Sequence, residues 1–447
     1  MVNHLCLVRC SVLLLAAWLL LGCSTEDQAR QQTLVLRGFH LVDVDSRRVS
    51  DADVLIENGV VVARATLPSA RVVDGHGAYL MPALWDLKAS LWGNDSTYDW
   101  EVLTQDINFT QCAALQLYYG VAHVGVFGMK REWVERELKR ADALELSAAE
   151  PLYPGRTICG KKSHGCDPTE DVAAAKQALA ERVHYLAPLF YIAYSRDPKS
   201  WIPGVKEEVL AELLAGAAQR QLPAIVLVDD WADAERAVQL GARVVYGFPA
   251  HPVPDGLLQL MRERGVAFAP ALARHLELDR LLGNDAALAD PFMNVSLQAD
   301  VRESYRSEKG LWHEWRTSLV LGRERRSVML QNVERVVKAG VQLVSVSDAG
   351  SVPGAFQGYA SHATQAWFEK AGLSGWDRLA AATTWPAAVL GRHIGFAPGD
   401  AADFLAVEVD PVASAANLRK ISLVVRKGSL VNRDKLLPDL TRGLYKP

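Results

Sequence analysis

The sequence predicts an α/β protein whose strands lie parallel, as a barrel or a doubly wound sheet. Through the middle of the 447-residue chain, apolar strand-like runs alternate with helical periods. Strands that alternate with helices pair in parallel through the crossovers. The runs number eight, as a (β/α)8 barrel requires: residues 84–87, 121–127, 153–158, 186–194, 224–228, 244–246, 267–270 and 342–346. Both ends of the chain read differently, as short strands between tight turns.

In chain order, the first segment is a targeting sequence. Arg9 precedes an apolar run over residues 12–21, followed by Gly22, Cys23 and Ser24. The run is short for a membrane-spanning helix. A small residue before a cysteine resembles a bacterial lipoprotein cleavage site, which makes 1–22 the signal peptide, Cys23 the lipidated residue and 23–32 a polar tether. An ordinary signal peptide or a short anchor are the alternatives. Lipidation implies a bacterial cell envelope protein whose partner is a membrane. Ser24 after the cysteine favours the outer membrane, facing the periplasm.

Residues 33–80 hold strand-like runs at 34–36, 54–56 and 60–63, with Asn58-Gly59 as a hairpin turn because that pair accepts positive φ. Asp167-Pro168-Thr169-Glu170 predicts a helix start, with Asp as cap and Glu three residues on. Helices are expected over 207–219, 233–240 and 256–264. Residues 271–325 exceed a normal barrel connection and read as a helical insertion, either a lid or a solvated addition. The final segment repeats the strand pattern at 402–409 and 421–428.

Composition is that of a globular protein, half hydrophobic and 22% charged. A net charge of -4 gives no case for nucleic acid. No nucleophile elbow, phosphate loop or dinucleotide fingerprint is present. Cys112 lies in a helical pattern as a small hydrophobe. Cys159 and Cys166 flank a six-residue loop. Outside the cytoplasm these two are expected to form a disulfide; a Cys-His metal site with His164 is the alternative.

Several stretches carry a family likeness. They are Pro82-Ala-Leu-Trp-Asp-Leu-Lys-Ala-Ser90, Ser347-Asp348-Ala349-Gly350, Gly358-Tyr-Ala-Ser-His362, Ala382-Thr383-Thr-Trp-Pro386 and Ala402-Asp403-Phe404-Leu405. Over residues 33–447 the chain resembles the amidohydrolase superfamily, in its imidazolonepropionase-like and prolidase-like branch. The resemblance implies a (β/α)8 TIM-like barrel over 81–395, including the insertion. It also implies a small β-sandwich beside it, built from both chain ends, 33–80 and 396–447.

The resemblance further implies a binuclear metal site. Its ligands would be two His after strand one, a Lys or Glu on strand four, a His each on strands five and six, and an Asp after strand eight. This chain has Lys88 and Ser90 after Asp86, no lysine over 185–194 and no histidine over 224–230. Gly247, beside Tyr246, takes the strand-six histidine position, and Asp348 alone of the set remains. The expectation is no metal. The alternative is one divalent ion such as zinc, or a hard cation on Asp348 with Asp229 or Asp230. The scattered His251, His275 and His313 lack ligand spacing.

In a barrel, strand eight neighbours strand one, so Lys88 and Asp348 are expected to face each other as an ion pair that replaces the lost metal. The candidate site is Asp348 as the catalytic group if there is one, Lys88 as its partner, and Asp86, Ser90, Asp229, Tyr246 and His362 around them. Trp92, Tyr98 and Trp100 follow strand one and could line a pocket. Two functions are consistent with this pattern. One is a pseudoenzyme lipoprotein that binds an unknown small molecule or periplasmic partner. The other is a divergent hydrolase of C–N bonds with Asp348 as proton shuttle.

Overall fold

The computed structural model describes residues 33–64, 66, 69–91, 109–143, 147–161, 166–182, 189–197, 200, 203–247, 251–297, 299–306, 323–434 and 436. The readings at Cys23, Trp92, Tyr98, Trp100, His164 and His313 lie outside them.

The N-terminal strands are β1 (Thr33–Arg37), β2 (His40–Asp43), β3 (Arg48–Asp51), β4 (Val54–Glu57), β5 (Val60–Val61), β6 (Arg71–Asp74) and β7 (Tyr79–Pro82). Asn58 and Gly59 join β4 to β5 with φ of 53° and 80°, the positive values a two-residue hairpin turn requires. The chain then enters β8 (Leu84–Ala89), β9 (Val121–Val126), β10 (Glu150–Leu152), β11 (Thr157–Cys159), β12 (Cys166–Pro168), β13 (Phe190–Ala193), β14 (Ala224–Leu227), β15 (Val244–Gly247) and β16 (Ala267–Pro270). It ends with β17 (Phe404–Val407), β18 (Ile421–Arg426) and β19 (Ser429–Leu430).

The two chain ends form two sheets, ordered β5-β4-β1-β6 and β19-β18-β17-β7-β2-β3. Leu36, Ile56, Leu80, Phe404 and Val425 pack between them and are fully buried. β17 pairs antiparallel with β7, which stitches the C-terminal segment to the N-terminal one.

The central strands pair in parallel, β8-β9-β10 in one run and β11-β13-β14-β15-β16 in the other. Residues 342–348 lie between β16 and β8. The Phe268 amide donates to Gln342 O at 2.9 Å on one side, and Leu87 donates to Ser345 O and Asp348 to Lys88 O, each at 3.0 Å, on the other. Along β14, Ile225 and Leu227 join an apolar cluster with Leu87, Tyr191, Tyr246 and Val346. Val226 and Val228 instead pack with Leu210, Leu213 and Ala234 of the flanking helices. This period of two separates an inner from an outer face.

Three local expectations are corrected. The predicted eighth strand, 342–346, is not a regular strand: Leu343 alone forms an isolated parallel bridge, to Phe268. The predicted third strand, 153–158, is split: β10 pairs with β9, whereas β11 pairs with β13. Pro154 lacks an amide for the ladder and Gly155 turns at φ 82°, so the run breaks there. The helix expected from Asp167 starts later, at Val172, with the Asp171 carboxylate accepting from Ala174 N at 2.8 Å. Residues Cys166–Pro168 are instead strand β12, paired with β11. The reason is covalent: Cys159 and Cys166 are bonded, with Cα atoms 5.9 Å apart.

The bond closes a short loop, and loop-closure entropy assigns it roughly 2.5 kcal/mol. A Cys159→Ala, Cys166→Ala double variant is therefore expected to lose about that stability in urea unfolding. Wild-type protein measured in a reductant should lose the same amount.

Among the described residues of the long connection after strand seven, Leu272–Leu281, Asp285–Leu288, Pro291–Asn294 and Ala299–Ser304 are helical. Cys112 is fully buried in the helix Phe109–Tyr118.

Candidate functional site

The site is built where β8, the 342–348 stretch, β15 and the helix Leu272–Leu281 converge. Asp86 and Lys88 lie in β8 and Ser90 just after it, and the pairing of β8 with β9 shifts register between Asp86 and Ala89. All three are fully buried, as is Asp348. Asp348 has a φ of 54°, a conformation that Asp tolerates better than most residues.

Lys88 Nζ makes an ion pair and hydrogen bond with Asp348 Oδ1. The ammonium lies over two aromatic faces, 3.9 Å from the centre of Phe127 and 4.7 Å from that of Tyr246. Tyr246 donates its hydroxyl to Asp348 Oδ2 at 2.8 Å, so both carboxylate oxygens are engaged. Burial pushes the Asp348 carboxyl up, but the charges of Lys88 and Arg274 more than reverse this and hold it below its ordinary range. Burial pushes Lys88 down, against the pull of Asp348.

Asp86 is held by a second set of donors. It accepts from Ser347 N at 3.0 Å, Lys88 N at 3.1 Å, Ser361 Oγ at 3.4 Å and also from Ser347 Oγ. Burial nevertheless raises its pKa to about 6, with the Ser347 hydrogen bonds opposing. A carboxyl raised on folding favours the native state at low pH, and that advantage is lost as pH rises through the folded value. Asp86→Asn should therefore narrow the fall in stability between about pH 4 and pH 6, read as unfolding midpoints across that range.

Ser90 Oγ donates to Phe127 O at 3.2 Å and pairs with Ser351 Oγ at 2.7 Å. Asp229, after β14, is partly buried, and its Oδ2 has no hydrogen-bond partner among the described residues. Asp230 caps the helix Trp231–Leu240 by accepting from Asp233 N, so it is not available as an oxygen donor beside Asp348. His362 turns away from the Lys88–Asp348 pair. Its Nε2 donates to Tyr119 O at 2.8 Å, its ring meets Phe292 edge to face, and burial lowers its pKa to about 4. The aromatic packing around the helix Tyr359–Lys370 outweighs its position next to Ser361.

Three residues of the site were not singled out from sequence. Tyr191 of β13 donates its hydroxyl to Leu87 O, against Gly125, where any Cβ would lie 2.6 Å from that hydroxyl. Phe127 forms one wall, and Arg274 adds a second cation from the first turn after strand seven. Inward alternation along the fourth strand could have found Tyr191. Nothing local marks Arg274.

The donor chemistry does not fit the metal pair that the likeness implies. An ammonium has no lone pair to give, and Asp348 already holds that ammonium. The phenols of Tyr191 and Tyr246 are pushed well above 10 by burial and the nearby carboxylates, so they are neutral, poor ligands. Among the described residues no group of three or more His, Cys, Asp or Glu is placed to hold an ion.

With this geometry in view, a model of the amidohydrolase family matches residues 203–431. No curated protein matches the chain. Many solved structures do. A molinate hydrolase has a TM-score of 0.71 at 16% identity, covering 94% of this chain and 98% of its own. An amidohydrolase has 0.69 at 20%, covering 89% and 98%. An Xaa-Pro dipeptidase with bound methionine in its active site has 0.67 at 15%, covering 90% and 100%. At these identities the likeness establishes the fold.

Proposed function

Since this chain belongs to the amidohydrolase family, we propose that it has kept the scaffold and given up the family's metal-dependent hydrolysis. It acts instead as a binding or structural protein of the bacterial cell envelope. One observation carries this reading. The residue in the first histidine position, Lys88, supplies a buried ammonium to Asp348, the carboxylate a hydrolytic mechanism would need for proton transfer. A carboxylate committed to a lysine and a tyrosine is a weak base. Fold alone does not fix activity.

Cys23 is the lipid attachment point in this proposal and holds the protein to the outer membrane, facing the periplasm. The Cys159–Cys166 disulfide supports passage through an oxidising compartment. The partner is a small molecule or a periplasmic protein. Intact-mass analysis of membrane-extracted protein checks the anchor: diacylglyceryl and acyl additions on Cys23 are expected, and an unmodified Cys23 contradicts it.

Hydrolysis tests the function. Zinc-supplemented protein is incubated with an Xaa-Pro dipeptide, an N-acyl amino acid and molinate. No turnover above buffer is expected for wild type or Asp348→Asn. Turnover that disappears in Asp348→Asn supports the alternative, a divergent C–N hydrolase with Asp348 as proton shuttle.

A further inference from the structure

We propose that the centre of the barrel is an ammonium-recognition cage, occupied from within by the protein's own Lys88. The ammonium sits over the faces of Phe127 and Tyr246, 3.9 and 4.7 Å from their centres, and its charge meets Asp348 Oδ1. Two aromatic faces and a carboxylate are the chemistry that recognises alkylammonium ions, through ring quadrupoles and a charge-assisted hydrogen bond. Tyr246 completes the cage by fixing the far oxygen of the carboxylate at 2.8 Å. Every member is sealed from solvent or nearly so, Phe127 being 7% exposed.

The cage favours a compact monovalent ammonium over a metal dication. Its walls are π faces with one carboxylate, not several converging lone pairs. The tether explains why the site needs no free ligand: the cation is supplied with the chain, at a concentration set by covalent attachment. This deepens the reading of a scaffold without metal chemistry. The two fail separately, since hydrolysis tests that reading and amine rescue tests this one.

Excision and refilling provide the experiment. Lys88→Ala removes three methylene carbons and the ammonium, which together correspond to n-propylammonium. The variant is refolded from denaturant with millimolar n-propylammonium chloride, 1-propanol or zinc chloride, so that entry to the buried site is not limiting. Propylammonium is expected to raise its unfolding midpoint by about 1–2 °C, with little effect on wild type. The Lys88→Ala, Asp348→Asn double variant should lose the response. Equal rescue by 1-propanol, preferential rescue by zinc, or no rescue of a folded Lys88→Ala would each overturn the cage.

If Lys88→Ala does not fold, Lys88→Met and Lys88→Met, Asp348→Asn are compared. The cage predicts that the double variant is the more stable, because no carboxylate is left without its cation. A less stable double variant overturns it.

Discussion

Lys88→Met is expected to destabilise the protein by about 3–5 kcal/mol, the usual cost of leaving one partner of a buried ion pair alone. Methionine keeps most of the volume of the side chain, so the loss reports charge and not a cavity. Asp348 would remain buried beside Tyr246, with the charge of Arg274 still acting on it. Its pKa should then rise, because Lys88 is the largest charge opposing burial there. The variant's deficit should accordingly shrink as pH falls and the carboxyl takes a proton. The measurement is urea unfolding of wild type and variant at several pH values. A deficit below about 1 kcal/mol, typical of exposed pairs, would mean that the pair is solvated and not structural.

The second large effect is expected at Asp403→Ala. Asp403 precedes β17 of the sandwich and is nearly buried. It accepts from Arg426 Nη1 at 2.8 Å with both oxygens, from Lys427 N at 2.6 Å and from His123 Nε2 at 3.1 Å. His123 belongs to β9 of the barrel and stacks on Trp85 of β8, with ring centres 3.9 Å apart. Arg426 continues to Glu150 of β10 at 2.8 Å. The network therefore fastens the sandwich to the N-terminal ends of the barrel strands. Removing its central carboxylate leaves Arg426 and His123 buried with fewer partners, and a loss of about 3–5 kcal/mol is expected.

The pH dependence of Asp403 has the opposite sign to that of Asp86. Burial raises the Asp403 carboxyl, but His123 and Arg426 overcome this and hold it far below its ordinary value. Its stabilisation is present above the unfolded pKa and is lost as pH falls. Wild type should therefore lose its advantage over Asp403→Ala in acid. An advantage that stays constant from neutral pH to below about 3 would show that Asp403 contributes packing alone.

Much of this architecture was legible because it rests on short-range chemistry. Asn58-Gly59 dictates its turn, and the continuous apolar run at 224–228 marks a strand buried on both faces. The Lys88–Asp348 contact was readable for a topological reason: in a closed barrel the last strand lies beside the first. The parts that were not legible depend on tertiary or covalent constraint. The local signal at Asp167 is a good helix start, but the bond from Cys166 to Cys159 draws those residues into a strand. His362 carries a family position, yet its direction is decided by Tyr119 and Phe292, which are distant in sequence. Arg274 reaches the site only because the helix after β16 begins at once, at Leu272.

Metal stoichiometry tests the central claim most directly. Protein is refolded with excess zinc, manganese or iron, passed through a desalting column and analysed by plasma mass spectrometry. A lysine ammonium held against Asp348 predicts substoichiometric metal of every kind, with no difference between wild type and Asp348→Asn. One equivalent or more of a retained divalent metal, lost in Asp348→Asn, would contradict the account.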